Sequence, residues 1–286
     1  MFGREQLPTK STDQLLAMRR AGLVVAQLLA AVRDAVRDGI TTADLNDVAA
    51  EVIARHGATS NFLGYHGFPA VICTSVNEQV VHGIPGEQVL HTGDLLSVDA
   101  GAIVDGWHGD SAISLVVGGP EHGRPEDLAL IEATRESMWA GIGGFREGRG
   151  VYELGGDIED SVHAAATGYR EAGLDLDFEI VDGYTGHGIG REMHMEPTVF
   201  NERVSAKGPR VRVGATVAIE PMVTLGTFET EELSDGWTVV TLDGSRAAHW
   251  EHTVACTPGG LWVLTAQDGG AAELAAHGLP FAPLGD

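Results

Sequence analysis

The chain has 286 residues and a mass of 30.1 kDa, which bounds it to one large domain or two modest ones and lets it bury a core without covalent staples. With 18 Lys and Arg against 41 Asp and Glu, its formal net charge is −23 and its pI about 4.7. That field repels phosphate backbones and anionic membranes and argues against DNA or another nucleic acid as ligand. Hydrophobic residues at 43% and charged residues at 21% set the chain apart from disordered, collagenous and coiled-coil sequences. Cys73 and Cys256 are too few for a disulfide framework and lack zinc-type spacing, which fits a reducing, cytoplasmic compartment.

Residues 1–10 read as a short N-terminal arm. Glu5 and Lys10 interrupt it, and it lacks the apolar stretch of a secretory signal. Ser11 with Gln14 forms a capping box, and Leu15, Met18, Val25, Leu28, Leu29, Val32 and Val36 follow near helical spacing, so a long amphipathic helix opens the fold. Its clearly apolar run, 21–32, is shorter than a bilayer span, and no membrane association is expected. Thr42 caps a second helix with Leu45, Val48, Val52 and Ile53 on one face.

Residues 61–115 turn to short β-type runs. Helices are expected at about 126–146 and from Gly148 to about Gly173, then strands and turns to about 264. Two helices followed by strands thus occur twice, and Asp38-Gly39 with Asp44-Leu45 matches Glu147-Gly148 with Glu153-Leu154 at one constant offset of 109 residues (38 to 147). The repeat predicts α+β halves, about 11–120 and 121–264, related by a pseudo-two-fold around one curved antiparallel sheet, with a site at their junction. Residues 265–286, rich in Ala, Gly and Pro, read as a loosely packed tail.

Asp105-Gly106 between two β-type runs is a two-residue hairpin signal that pairs Val104 with Trp107. That register puts Asp110 opposite Gly101 and Asp99 one diagonal step away on the same face. Two carboxylates side by side repel each other and cost desolvation unless cations or protons compensate, and a metal site relieves both. The hairpin alone leaves open a bulge that turns one Asp to solvent. The second half supplies further candidates: His187 among glycines in Gly186-His187-Gly188-Ile189-Gly190, Glu220 at the end of an apolar run, and Glu251 inside another. Each has a plain alternative as a loop or solvated strand residue, and the glycine segment lacks dinucleotide-loop spacing.

Taken together, Tyr65-His66-Gly67-Phe68-Pro69, Cys73-Thr74-Ser75-Val76-Asn77-Glu78, His82-Gly83-Ile84-Pro85, Asp99, His108-Gly109-Asp110, the His187 segment, Ile219-Glu220-Pro221-Met222 and Glu251-His252-Thr253 resemble the type I methionine aminopeptidases, in order and spacing, over about 11–264. The resemblance implies the pita-bread (creatinase/aminopeptidase-like) α+β fold as a single catalytic domain. It implies removal of the initiator methionine from nascent polypeptides when the second residue is small. Asp99, Asp110, His187, Glu220 and Glu251 are the implied ligands of two divalent ions, Mn, Fe or Co, with Asp110 and Glu251 bridging. Such ions lower the pKa of a water and stabilise a developing oxyanion. Glu220 is the implied proton shuttle, with His194 and His82 acting on the substrate around the cleaved bond. Tyr65, Phe68, Cys73, Met193 and Trp237 form the implied methionine pocket, Met193 standing where relatives commonly carry phenylalanine.

The basic stretch Arg203, Lys207, Arg210 and Arg212 reads as a solvated loop, with a transient ribosome contact as its functional alternative. A monomer is expected. Proline-specific hydrolysis, as in prolidase-like relatives, and a non-catalytic binding role are the alternatives, disfavoured by His82-Gly-Ile-Pro and by the complete ligand set.

Overall fold

The computed structural model describes residues 7–285, so most of the expected N-terminal arm lies outside the described residues. Helix α1, Thr12–Ala35, starts at a capping box in which the Ser11 hydroxyl accepts from Gln14 N–H and the Gln14 side chain accepts from Ser11 N–H. Helix α2, Thr42–Arg55, is capped by Thr41, one residue earlier than expected, with Asp44 completing the box. Helices α3, Pro125–Gly144, and α4, Leu154–Glu171, repeat the pair. Each pair carries its own apolar core. Val25, Leu28, Leu45 and Ile53 pack on the first-half strands, and Leu130, Ile142, Ile158 and Val162 on the second.

The internal repeat is visible in the hydrogen bonds. Leu90 pairs with the chain before α2 (Gly39 N–H to Leu90 O and Leu90 N–H to Ile40 O, both 2.8 Å), and Val211 pairs with the chain before α4 (Gly148 N–H to Val211 O 2.9 Å, Val211 N–H to Arg149 O 2.8 Å). Asp44 accepts the Thr41 N–H and Glu153 the Gly150 N–H, each at 2.9 Å. The short sequence pattern is therefore a cap-and-pair motif that aims each second helix.

Among the described residues the strands form four antiparallel sheets rather than one. In the first half, Leu95–Val104 and Trp107–Val116 form a ten-pair hairpin with Gly101 opposite Asp110 and Val104 opposite Trp107, as the turn predicts. Asp105 (φ 52°) and Gly106 (φ 72°) both take the left-handed conformation this turn needs. In the second half, Gly260–Val263, His252–Thr257, Thr216–Ile219, Gly186–Gly188 and Met195–Val199 lie side by side in that order. The halves are sewn where Ala112 and Glu251 exchange backbone hydrogen bonds (3.3 and 3.0 Å) and Thr253 Oγ1 donates to Asp110 O while accepting its N–H. This seam joins the first-half hairpin sheet to the five-stranded sheet of the second half.

The tail is not loose. Helix α5, Ala271–Ala276, buries Leu274, and residues 280–282 pair with Leu261 through Leu261 N–H to Pro280 O (2.9 Å) and Ala282 N–H to Leu261 O (3.0 Å). Backbone pairing to the Gly260–Val263 strand, which Ala/Gly/Pro composition does not reveal, holds it down.

Helix α1 is longer than its apolar run suggested, and its 24 residues are apolar enough to cross a membrane by length and composition. Its packing explains that apolarity. Arg19 donates to the carbonyls of Leu264 (2.8 Å) and Gln267 (2.9 Å), and Gly22 lies against Leu264 and Gly109. A Cβ at Gly22 would enter the Leu264 carbonyl, which is backbone and cannot swing away. We expect Gly22→Ala to destabilise the protein by about 1–3 kcal/mol, read as a lower denaturant midpoint at unchanged slope.

Candidate metal centre

Strand parity and the seam bring the five acidic and imidazole candidates together. Asp99 and Asp110 project from one face of the hairpin. His187 comes from the Gly186–Gly188 strand, whose neighbouring glycines admit close backbone: a Cβ on Gly188 would strike the Glu196 carbonyl. Pro221 ends the Thr216–Ile219 strand just after Glu220. Glu251 sits on the seam, its carbonyl also accepting from Ser111 Oγ (2.5 Å). Ligand atoms of Asp110, His187 and Glu251 all lie within 4.8 Å of one another. Glu220 Oε1 is 3.3 Å from His187 Nε2, and Asp99 and Glu220 line the same pocket.

The electrostatics call for a cation. Desolvation by burial pushes the Asp99 carboxyl up to about 7 and those of Asp110, Glu220 and Glu251 well above the usual range, and the carboxylates' mutual repulsion adds to the rise for the latter three. Asp99 Oδ1, Asp110 Oδ1 and Glu251 Oε1 are buried without a hydrogen-bond partner. Burial lowers His187 to about 4, so the ring is neutral at pH 7. Its Nδ1–H donates to Gly188 O (2.9 Å), a group that can only accept, so Nε2 presents a lone pair toward the Glu220 carboxyl. An imidazole lone pair facing an acidic cluster, with its other nitrogen fixed by a backbone carbonyl, is the arrangement of a histidine metal ligand. The donor set is hard oxygen with one nitrogen and no thiolate, fitting a divalent first-row ion.

The remaining candidates wall the same pocket. Tyr65, Phe68, Cys73, Met193 and Trp237, with His82 and His194, surround a cavity of about 120 Å³ that the five acidic and imidazole groups close on one side. Phe68 meets Trp237 edge-on at 5.0 Å between centroids, and burial pushes the Cys73 thiol far up, leaving it a neutral apolar surface. Burial also lowers His194 and His82. Tyr65 Oη lies 2.8 Å from His194 Nδ1. All twelve predicted site residues therefore meet in one place. A second cavity of about 700 Å³ shares His82, His187, His194 and Glu220 with the first and opens toward Pro8, Tyr184, Glu192 and Thr198.

A model of metallopeptidase family M24 matches residues 16–258. The chain belongs to metallopeptidase family M24. This M24 peptidase is 51% identical to methionine aminopeptidase 1 of Mycobacterium tuberculosis over 266 residues, covering 92% of this chain and 96% of that one. It is 40% identical to methionine aminopeptidase 1 of Bacillus subtilis, covering 90% and 98%. The methionine aminopeptidase structure from Thermotoga maritima superposes with a TM-score of 0.84 at 34% identity, covering 91% of this chain and all of that one. A prolidase from Pyrococcus horikoshii shares the fold alone, with a TM-score of 0.68 at 18% identity, covering 90% of this chain and 63% of that one.

Two residues at this M24 peptidase's site, one lining the pocket and one behind Glu220, carry no mark strong enough to single them out in the sequence. Phe62 adds an aromatic wall, and its signal was the run of aromatics it shares with Tyr65 and Phe68. His249 is buried with Nε2 3.8 Å from Glu220 Oε2, and its signal was its place two residues before Glu251. The basic stretch is paired within its own half: Arg203 with Asp160 (2.5 Å), Lys207 with Glu153 (3.6 Å), and Arg210 with the Gly148 carbonyl (2.5 Å).

Proposed function

We propose the following residue-level reading of the activity. The protein is a metal-dependent methionine aminopeptidase, and the observation that carries the reading is a thioether-sized apolar slot sharing one wall with a buried carboxylate and imidazole cluster. Asp99, Asp110, His187, Glu220 and Glu251 would hold two divalent ions, of which Mn, Fe and Co suit the donors. Bound there, such ions supply Lewis acidity and bring a water's pKa near neutrality.

The residues do the rest. Phe62, Phe68, Cys73, Met193 and Trp237 take the methionine side chain, a polarisable thioether against aromatic and sulfur surfaces. Glu220, raised by burial, carries the proton from water to the leaving amine. Where the Tyr65 hydroxyl donates to Nδ1, the single proton of neutral His194 sits on Nε2, and that N–H stabilises the developing oxyanion. His82 binds the substrate beside the cleaved bond. The chain beyond that bond leaves through the larger cavity, and the substrate's free α-amine would ligate one of the ions, hence exopeptidase action at nascent N-termini.

The enzyme acts as a cytoplasmic monomer in this reading. A transient ribosome contact has to come from a basic stretch in which Arg203 and Lys207 are already paired to acidic neighbours, and cosedimentation with ribosomes across a salt series tests it.

Metal-stripped enzyme restored with Mn²⁺ or Co²⁺ is expected to release methionine from Met-Ala-Ser and far more slowly from Met-Leu-Ser. Failure with every metal, or preference for an Xaa-Pro peptide, overturns the reading in favour of a proline-specific hydrolase. Met193→Ala is expected to raise KM for Met-Ala-Ser roughly tenfold with kcat little changed, because it removes side-chain contact shared by ground and transition states. Steady-state kinetics on the tripeptide read the split.

A further inference from the structure

His249 is a buried group that the reaction above does not use. Its imidazole is 2% exposed, its Nε2 has no hydrogen-bond partner, and that atom lies 3.8 Å from Glu220 Oε2. The other Glu220 oxygen is 3.3 Å from His187 Nε2, so one carboxylate sits between two imidazoles.

The mount behind His249 is rigid. Ser114 Oγ accepts the His249 N–H (2.9 Å) and donates to the His249 carbonyl (2.8 Å), and its remaining lone pair takes the Ser97 hydroxyl (2.8 Å). The Ser97–Ser114 pair belongs to the first-half hairpin, whereas His249 ends the Ala247–His249 strand, opposite Met222. A saturated hydroxyl thus clamps both backbone groups of His249 and leaves its side chain aimed at Glu220. The ring's neighbours of charge-bearing type are Glu220 and, more remotely, His82.

We infer that His249 is a positioning residue whose Nε2–H holds one oxygen of Glu220, fixing the carboxylate's orientation for both metal ligation and proton transfer. The 3.8 Å gap exceeds a hydrogen bond and closes by a small rotation of the Glu220 carboxylate, as catalytic hydrogen bonds tighten in the working complex. Partners that orient a ligating side chain change metal affinity or turnover by about 10–100-fold when removed. The inference rests on the aminopeptidase reading only for its kinetic readout.

The test compares His249→Leu, which fills the volume without a donor, with His249→Gln, whose amide nitrogen reaches near the Nε2 position. His249→Leu is expected to lower kcat on Met-Ala-Ser and Mn²⁺ affinity by calorimetry, each about 10–100-fold, with KM within about twofold. Its metal-free melting temperature is expected to stay level or rise, because an unpartnered buried nitrogen has been removed. His249→Gln is expected to recover most of the kcat and Mn²⁺ affinity. Leu and Gln variants impaired alike, or a Leu variant that keeps its Mn²⁺ affinity, overturns the inference. So does a metal-free melting temperature that drops in step with kcat, which assigns His249 a packing role. Should the parent release no methionine, the aminopeptidase reading fails while the Mn²⁺ arm still judges His249.

Discussion

Asp110→Asn is expected to cut methionine release by at least about a hundredfold and leave the metal-free protein at least as stable as the parent. The functional loss follows from position: Asp110 belongs to the Asp110, His187 and Glu251 triad of converging ligand atoms, and a neutral amide there weakens both ion binding and the electrostatic stabilisation that depends on it. The stability expectation has the opposite sign for the same reason. Asp110 Oδ1 is buried without a partner, and its carboxyl is driven up by desolvation, then by Asp99 and Glu220. Asparagine keeps the shape and removes the charge. The backbone contacts that matter for the fold, to Thr253 Oγ1 in both directions, survive the change. Methionine release, calorimetric Mn²⁺ binding and melting in EDTA check the two halves of the expectation. A melting temperature that collapses with activity would show that Asp110 is needed for folding and that its charge is not the stored cost.

The second large effect is on pH. In EDTA, the melting temperature is expected to fall as pH rises from about 6.5 to 8, and Mn²⁺ is expected to raise it more at pH 8 than at pH 6.5. Asp99 is raised to about 7, and Asp110, Glu220 and Glu251 are raised further by burial and mutual repulsion. The folded state therefore holds protons that the unfolded chain has already released, and stability is lost as pH climbs through the folded values. Each carboxyl still protonated contributes a slope of up to about 1.4 kcal/mol per pH unit. The buried histidines run the other way. His187 and His252, lowered to about 4, and His249, lowered to about 3, are neutral when folded and charged when unfolded below pH 6.5, so their contribution grows with pH up to that point. Opposition below pH 6.5 blurs the curve; above it the four carboxyls set the trend, opposed near pH 8 by the single buried Lys10, which burial lowers to about 8. A cation favours the ionised carboxylates and removes their penalty. A metal-free protein equally stable at pH 6.5 and 8 would mean that water or rearrangement already relieves the cluster.

The site was legible in the sequence to the extent that it obeys strand parity and local motifs. The Asp105-Gly106 turn predicts a register that puts Asp99 beside Asp110 but leaves open a bulge between them, and the unbroken ten-pair ladder has that register. His187 could be noticed because its glycines announce tight packing, although its partner Glu220 lies 33 residues on (187 to 220) and their meeting depends on pairing between the Gly186–Gly188 and Thr216–Ile219 strands. The only local mark of His249 is its place two residues before Glu251, which does not give its orientation: that depends on the Ser114 clamp from the opposite half. The tail was misjudged for a similar reason. Its composition lacks a periodic apolar face, and its attachment is a backbone pairing with Leu261, the buried Thr265 and Leu274 side chains, and the Arg19 hydrogen bond to the Gln267 carbonyl. The break between the first-half hairpin sheet and the five-stranded second-half sheet was likewise invisible, because the seam at Ala112 and Glu251 is two hydrogen bonds long.

The duplicated pairing of Leu90 and Val211 has a geometric consequence for direction. The step from Leu90 to Val211 is 121 residues, and the same step carries Asp99 onto Glu220. The two halves thus offer carboxylates at corresponding positions, and a centre built from these alone would look the same from either side. A peptide lying across it could be cut in either polarity. That symmetry is broken by what the duplication does not repeat: His187 and His194 of the second half, the latter in contact with Tyr65, and an aromatic slot that joins Tyr65 and Phe68 of the first half to Met193 and Trp237 of the second. Polarity, the ability to tell an amino terminus from a carboxyl terminus, is a property of those additions and not of the duplicated frame.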